Sequence, residues 1–366
     1  MRCTLGIFDF DLSFVCTSYD SYPQPNEESD RPTLSIETMS TAAAALNAVL
    51  AAHSAFEVAG VGIGREGEGA AIELDTDASP IDGAKVLWDN NILGAPVYDK
   101  VKEEYVGFFD TRDMLSFMVT ALKVEKGENE EMTPLAARMS ESLATGIDSQ
   151  AALAEDPTVA HFASKNPFIS CKDDSTLLEV SKTISPDRCH RVPIVDDTGK
   201  VSNIVSQSAI VKYLALKTPP DDLKETLEEC GFPYRKDVLC INEDAGAADA
   251  FALMASSGRS GIAIVDEEGS LMGNTSARDI RFAALDEGRT AIDTDIISYL
   301  AIVRQATASK NDRYPITYVR ETDTLLHTIA LLAKTGYHRC FVVDKDKKPV
   351  GVVSVSDVVN FAISYE

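Results

Sequence analysis

The sequence predicts an α+β protein that is built from four copies of one small βαββα module. Two observations lead to this fold class. Four short, strand-like apolar runs each end in an aspartate, and the residues around those aspartates recur at matching offsets; the aspartates are Asp99, Asp196, Asp266 and Asp344. Repetition of this kind is the sequence signature of a repeat architecture.

The second half of each module follows from counting forward from these aspartates. Thirteen residues after the last three, and fourteen after the first, the count reaches Asp113, Ala209, Asp279 and Asp357. Six residues before those positions lie Gly107, Asn203, Gly273 and Gly351. This register predicts a hairpin turn, a further strand and a helix in every copy.

The first half of each module follows from counting backward. Twelve and nineteen residues before the aspartates stand mostly apolar residues, and a spacing of seven places both on one face of a helix. These positions are Leu87, Ile184, Met254 and Leu332, and Pro80, Leu177, Ala247 and Leu325. Short strand-like runs precede them, so each unit is predicted to be strand, helix, strand, turn, strand, helix.

The register divides the chain into six segments. An N-terminal extension is predicted to hold a strand near Phe8–Leu12, a polar loop, an Ala-rich helix between Thr41 and Phe56, and a flexible Gly-rich hairpin turn. An acidic helical linker is expected between the first two repeats. The predicted segments are the extension 1–70, the first repeat 71–125, the linker 126–159, and the repeats 160–218, 233–290 and 310–366.

Charge and cysteine content narrow the function classes. The 366-residue chain has a net charge of −24, which disfavours binding to nucleic acid or to a membrane surface. Its seven cysteines lack Cys-x-x-Cys spacing, which indicates reduced thiols in the cytoplasm and no structural zinc. A small phosphorylated ligand remains compatible with this charge only where basic residues gather locally.

Two modules carry a Ser-x-x-Asp pattern where the last strand meets the last helix, at Ser354 and Asp357 and at Ser276 and Asp279. By itself this pattern is a capping box, which satisfies free backbone amides without any ligand. The same geometry also suits a phosphorylated sugar. A helix N-terminus with a Ser hydroxyl favours phosphate, and a carboxylate accepts hydrogen bonds from both hydroxyls of a ribose. The first repeat keeps only the distal acid, Asp113.

Two His-Arg pairs supply the local positive charge that such a ligand requires. His190-Arg191 and His338-Arg339 each precede a strand, and each histidine stands six residues before the aspartate of its own repeat. Arginine offers a two-pronged donor to phosphate oxygens, and histidine adds a further donor. A solvated turn from helix to strand would explain either pair alone, whereas two pairs in register favour a binding site.

These motifs resemble cystathionine-β-synthase (CBS) domains. The four-repeat order, with His-Arg in the second and fourth copies, resembles the gamma regulatory subunit of the AMP-activated protein kinase family. The resemblance covers most of residues 71–366 and is most specific from His338 to Asp344 and from Gly351 to Asp357. It implies that the units pair into two pseudo-twofold modules, which together form a disc with clefts for AMP, ADP or ATP.

The resemblance also implies roles for individual residues. Ser354, Ser356 and Asp357 would belong to the best-kept cleft, with the carboxylate on the ribose. Ser276 and Asp279 would form the next best cleft. Asp113, the distal acid of the first repeat, is a further candidate for ligand binding. The phosphate contacts implied by the resemblance are His190, Arg191, His338 and Arg339.

Three functions are compatible with these observations to different degrees. The first is a non-catalytic adenine-nucleotide sensor or regulatory subunit, which acts on a kinase or another multi-subunit assembly or associates with itself. The second is a scaffold that kept the fold, lost the ligand and works through protein contacts. The third, an enzyme, is disfavoured because the five histidines form no metal spacing and no nucleophile motif is present. No metal is expected.

Overall fold

The computed structural model describes residues 40–59, 71–125, 158–184, 189–307 and 316–365. It begins with two helices of the N-terminal extension, α1 (Thr41–Ala52) and α2 (Ala55–Ala59). The first confirms the predicted Ala-rich helix. The predicted strand near residue 8, the Gly-rich turn and nearly all of the acidic linker lie outside the described residues.

The four repeats follow in chain order, and in the part of the chain that the structure describes a short helix, α5 (Val159–Ala163), lies between the first two. The first repeat consists of β1 (Leu74–Asp75), α3 (Pro80–Asp89), β2 (Gly94–Asp99), β3 (Glu104–Asp110) and α4 (Thr111–Glu125). The second consists of β4 (Cys171–Lys172), α6 (Leu177–Thr183), β5 (Arg191–Val195), β6 (Val201–Ser206) and α7 (Gln207–Lys217).

The third and fourth repeats are separated by two helices, α9 (Asp286–Ala291) and α10 (Ile296–Thr307). The third consists of β7 (Cys240–Asn242), α8 (Ala247–Ser256), β8 (Gly261–Val265), β9 (Leu271–Ser276) and a 3-10 segment (Asp279–Ala284). The fourth consists of β10 (Tyr318–Val319), α11 (Leu325–Thr335), β11 (Arg339–Val343), β12 (Pro349–Ser354) and α12 (Val355–Ile363). A second 3-10 segment, Pro220–Leu223, lies between the second and third repeats.

All four sheets have the same topology, which confirms the predicted module. The first strand runs parallel to the second, and the second pairs antiparallel with the third. The parallel pair needs a crossover, which the intervening helix supplies, whereas the antiparallel pair needs only a hairpin. The exact limits of the repeats given above stay predictions.

The third repeat departs from the prediction of a capped helix after its last strand. Ser276 caps no helix, because a 3-10 segment stands there instead of an α-helix. Arg281 accounts for the difference: its buried guanidinium donates to the backbone oxygens of Leu87 and Ile92 in the first repeat, at 3.1 and 2.6 Å. Packing between repeats therefore outweighs the local capping signal.

Each repeat is preceded in the chain by a short segment, here called its lead-in. The lead-in does not pack on its own repeat but on another one. A backbone N–H of the lead-in donates to the backbone oxygen of the residue two positions before the first helix of that other repeat. The four bonds join Val159 to Ala78, Ala55 to Ser175, Ile296 to Ala245, and Leu227 to Asp323. The segment before the first repeat thus docks on the second, and the segment before the second docks on the first. The third and fourth repeats exchange their lead-ins in the same way.

Two large hydrophobic cores and the facing sheets join the repeats into a closed ring. One core combines the first and third repeats, and the other combines the second and fourth with α1. The sheets of the third and fourth repeats meet at Ala263, Leu271 and Phe341. The sheets of the first and second meet where Val201 N–H donates to the Tyr105 hydroxyl, at 3.2 Å. Each repeat therefore contacts two others, in the paired, disc-like arrangement expected from the sequence.

Candidate ligand-binding cavity

The centre of the ring is a cavity of about 1060 Å³ that is lined by residues from all four repeats. Eight arginine and lysine side chains face it, against four aspartates. The basic residues are Arg112, Arg191, Arg235, Lys236, Arg259, Arg278, Arg304 and Arg339, and the acids are Asp110, Asp237, Asp279 and Asp357. A net positive interior in a chain of charge −24 is the local concentration of basic residues that a phosphorylated ligand requires.

Both predicted His-Arg pairs line this cavity. They reach it because each histidine directly precedes the central strand of its sheet, β5 or β11, and each arginine is the first residue of that strand. The two arginines occupy equivalent positions against neighbouring repeats. Arg191 lies 3.5 Å from the carboxylate of Asp110 in the first repeat. Arg339 donates to the backbone oxygen of Gly261 at 3.0 Å and to the hydroxyl of Ser260 at 2.6 Å in the third.

Small residues at the start of the opposing strands make room for these arginines. A Cβ atom on Gly94 would lie 2.3 Å from a guanidinium nitrogen of Arg191, and one on Gly261 would lie 2.7 Å from that of Arg339. Each arginine of an even-numbered repeat therefore lies across the first residue of a strand in an odd-numbered repeat. Burial lowers the pKa of Arg339 to about 10, which leaves it charged at neutral pH.

His190 and His338 are uncharged at neutral pH. Burial is the main cause that lowers the pKa of His190 to about 4 and that of His338 to about 3, and neighbouring arginines add to it. His190 also contributes to the lowered pKa of His338. A neutral imidazole still offers one N–H donor to an anionic oxygen.

Asp357 combines a capping role with a position in the cavity wall. Ser354 N–H and its hydroxyl donate to Asp357 Oδ2, both at 2.7 Å, while Asp357 N–H donates to Ser354 Oγ at 3.3 Å. The predicted capping box is therefore present. Among the described residues none donates to Oδ1, and burial raises the pKa of this carboxyl above its usual value. Ser354 and Asp357 both line the cavity.

Ser356 links this cleft to the second repeat through a residue that the sequence did not indicate. Its hydroxyl donates to Gln207 Oε1 at 2.7 Å, and His190 Nδ1 lies 3.3 Å from the same oxygen. Gln207 is only 4% exposed and stands at the start of α7, which Ser206 caps. The contact was invisible in the sequence because Gln207 and Ser356 lie 149 residues apart.

Ser276 and Asp279 also line the cavity, but they do not form a helix cap. The Ser276 N–H donates to Asp279 Oδ2 at 2.9 Å, and the Ser276 hydroxyl donates to the same atom at 3.2 Å. Asp279 is held further by its backbone oxygen, which accepts from the hydroxyl of Tyr299. The third-repeat pair thus presents a carboxylate to the cavity without a helix N-terminus behind it.

Asp113 does not line the cavity. Its Oδ2 accepts from the Asp110 N–H at 2.8 Å, and both carboxylate oxygens accept from the Asn166 side chain at 3.2 and 3.1 Å. Burial and the neighbouring Asp110 raise the pKa of Asp113 well above its usual value. The structure therefore separates Asp113 from the other predicted site residues.

Several cavity arginines were not predicted, and for two of them a signal existed. Arg112 and Arg278 each directly precede the distal acid of a repeat, Asp113 and Asp279, so their register matches. Arg235 precedes β7 and Arg304 lies on α10, and neither is among the positions that recur in register. Within the described residues there is no cluster of potential metal ligands and no helix long and apolar enough to cross a membrane.

Comparison with known proteins identifies one family and several solved structures with a similar fold. The CBS domain family model matches residues 159–216, 232–286 and 312–364. Protein MJ1225 from Methanocaldococcus jannaschii, described as a proposed archaeal homolog of γ-AMPK, superimposes with a TM-score of 0.58. The two are 17% identical, over 84% of this chain and 99% of the archaeal one.

Curated fungal proteins are similar in sequence. Protein sds23 of Neosartorya fischeri is 28% identical across 75% of this chain and 51% of its own length. Protein sds23/moc1 of Schizosaccharomyces pombe is 22% identical across 75% of this chain and 67% of its own. The chain thus spans about half the length of the first of these relatives.

Proposed function

Because this chain is a CBS-domain protein with four repeats, we propose that it is a non-catalytic regulatory protein that binds an adenine nucleotide, AMP, ADP or ATP, in its central cavity. One observation carries the proposal. Asp357, a carboxylate with an oxygen open to the cavity, shares that cavity with eight basic side chains in a strongly acidic chain. Such a combination suits a ligand with a sugar diol at one end and phosphates at the other.

The cavity residues divide into three roles. The ribose hydroxyls donate to Asp357, beside the capped start of α12. The phosphates lie toward the ring centre, where His338, Arg339, His190 and Arg191 supply donors. Apolar wall residues contact the base; they are Tyr234, Val352 and Phe361.

Binding regulates by favouring one arrangement of the ring. All four repeats line a single cavity, so a ligand there contacts surfaces of different repeats at once. A ligand shifts such an equilibrium only by its difference in affinity for the two arrangements. The regulated partner is a kinase or another multi-subunit assembly in the cytoplasm, or a second copy of the chain.

Calorimetric titration of the full chain with AMP and with ATP tests the proposal. We expect saturable heat with at least one nucleotide. Asp357→Asn keeps the shape of the side chain but loses a charged acceptor, so its affinity should fall by about 10-fold or more. Asp197→Asn, at an exposed hairpin position, is the matched control and should bind like the parent. Absence of heat and of thermal stabilisation at about millimolar nucleotide, a concentration that corresponds to roughly 4 kcal/mol of binding, would refute it.

A scaffold without ligand is the second candidate, and two positions favour it. Asp113 is engaged by Asn166, and the second repeat has Ala209 where a ribose acid would stand. In this alternative the extension before the first repeat mediates contacts with protein partners. Removing residues 1–39, which precede α1, would then abolish partner binding while the thermal unfolding of the ring stays unchanged.

A further inference from the structure

The cleft of the first repeat is filled by a segment of the same chain, residues 164–168. Asn166 donates from its side-chain amide to both oxygens of Asp113 and to the backbone oxygen of Phe108, at 3.2 Å. Its backbone oxygen accepts from the Phe108 N–H at 3.1 Å. The segment is thus bonded both to the strand β3 and to the carboxylate that the repeat register makes equivalent to Asp357.

An aromatic ring completes the occupation of this cleft. Phe168 lies parallel to Tyr105, with ring centroids 4.4 Å apart and an interplanar angle of 4°. It also lies nearly parallel to Phe108, at 6.1 Å and 11°. Parallel stacking on aromatic side chains is the way proteins hold a nucleobase without reading its edges.

The fourth repeat shares one backbone hydrogen bond with this arrangement and carries different side chains. Phe108 corresponds to Val352, and the Val352 N–H donates to the backbone oxygen of Arg235 at 2.8 Å, as Phe108 N–H does to Asn166. Asn166 is therefore equivalent to Arg235. In the fourth repeat the position of the carboxylate-binding amide is taken by an arginine that lines the cavity.

The equivalence extends to the stacked ring. Two residues after Arg235 stands Asp237, which pairs with Arg259 at 2.6 Å, whereas two residues after Asn166 stands Phe168. The lead-in of the third repeat thus leaves the acid of the fourth repeat facing the cavity. The lead-in of the second repeat covers the acid of the first repeat with an amide and covers the neighbouring aromatic face with a ring.

We propose that the cleft of the first repeat is a second nucleoside-type site that the chain itself occupies, with Asn166 in place of the sugar hydroxyls and Phe168 in place of the base. The chain's own side chains supply the two chemistries that a nucleoside would supply, hydrogen-bond donors to a carboxylate and a flat ring stacked on Tyr105. The ligand class rests on the proposed function. We expect each native chain to bind one nucleoside, at the Asp357 cleft. A chain without the side chains of Asn166 and Phe168 should bind two.

Titration of the full chain with adenosine and with AMP tests this inference. The variant Asn166→Ala/Phe168→Ala should bind one more equivalent than the parent. Adding Asp113→Ala to that variant should abolish the extra equivalent, while adding Asp357→Asn should abolish the original one. Thermal unfolding shows whether each variant is folded; if the double alanine variant is not, Asn166→Ser/Phe168→Leu, which retains part of the packing, replaces it.

The outcomes separate this inference from the proposed function. Suppose that the parent binds one equivalent of nucleoside through Asp357 and that the folded variant at Asn166 and Phe168 also binds only one. The second site is then refuted, and the proposed function stands. If the parent binds none while the variant binds one equivalent through Asp113, the second site stands and the assignment to Asp357 falls. An extra equivalent that persists after Asp113→Ala also overturns the inference.

Discussion

At the scale of residues, the two central histidines illustrate what burial does to a predicted phosphate contact. Sequence register brought His190 and His338 together as candidates, and the structure places both in the cavity wall. Their charge could not be predicted, because it depends on burial and on arginines from other repeats. Neutral imidazoles also avoid repelling the eight cations around them.

These histidines should make the stability of the protein depend on pH. Their folded-state pKa values lie below 6.5, so the unfolded chain binds more protons below that pH. The free energy of unfolding therefore decreases as the pH falls from about 6.5 toward about 4, by up to about 1.4 kcal/mol per pH unit for each histidine. Urea unfolding at about pH 7 and about pH 5 should show a smaller loss in His190→Gln/His338→Gln than in the parent.

The exposed His327, which lies on α11, provides the control for this experiment. His327→Gln should lose as much stability as the parent over the same interval. An unchanged slope in the double variant would show that other groups dominate the acid sensitivity.

Gly107 allows residues 163–166 to lie close against β3, and its substitution tests that contact. A Cβ atom there would lie 2.0 Å from the backbone oxygen of Ala163, whereas a Cβ at the equivalent Gly273 meets nothing closer than 3.8 Å. Gly107→Ala should therefore lower the free energy of unfolding by about 2 kcal/mol or more, because backbone has to move. Gly273→Ala should change it by less than about 1 kcal/mol. Equal effects in chemical denaturation would contradict the docking of residues 163–166 on β3.

At the scale of elements, periodicity explains which parts of the fold could be predicted. Helices such as α11 and hairpins such as β11–β12 follow from local spacing, so the sheet and the first helix of every module were predicted correctly. The exchange of lead-ins could not be predicted, since a short segment gives no sign of which repeat it will cover. The 3-10 segment Asp279–Ala284 was missed for a related reason, because a contact with the first repeat determines it.

Helix α1 should be essential to the second and fourth repeats. Leu46 is fully buried in the core that those repeats share, beside Leu50 and residues of α12. Leu46→Ala should lower the free energy of unfolding by about 2–5 kcal/mol through lost burial and the cavity it leaves. Leu216→Ala is the matched control, because Leu216 is 70% exposed, and it should change stability by less than about 0.5 kcal/mol. Equal urea midpoints would show that α1 packs only loosely.

At the scale of the whole molecule, ring closure gathers residues that are scattered along the sequence. Eight basic side chains converge on the cavity of a chain whose net charge is −24. Four residues of the cavity wall were predicted from the sequence as phosphate contacts, namely His190, Arg191, His338 and Arg339. The cleft at Ser354 and Asp357 was predicted as well. The sequence did not reveal Arg235, Arg304 or Gln207, whose positions depend on how the ring closes.

A crystal structure of the full chain grown with AMP would show whether the nucleotide binds at Asp357. We expect one AMP in the central cavity, with its ribose hydroxyls within about 3 Å of the Asp357 carboxylate and its phosphate among the arginines at the ring centre. A cavity without nucleotide, or a nucleotide whose ribose is turned away from Asp357, would contradict this expectation.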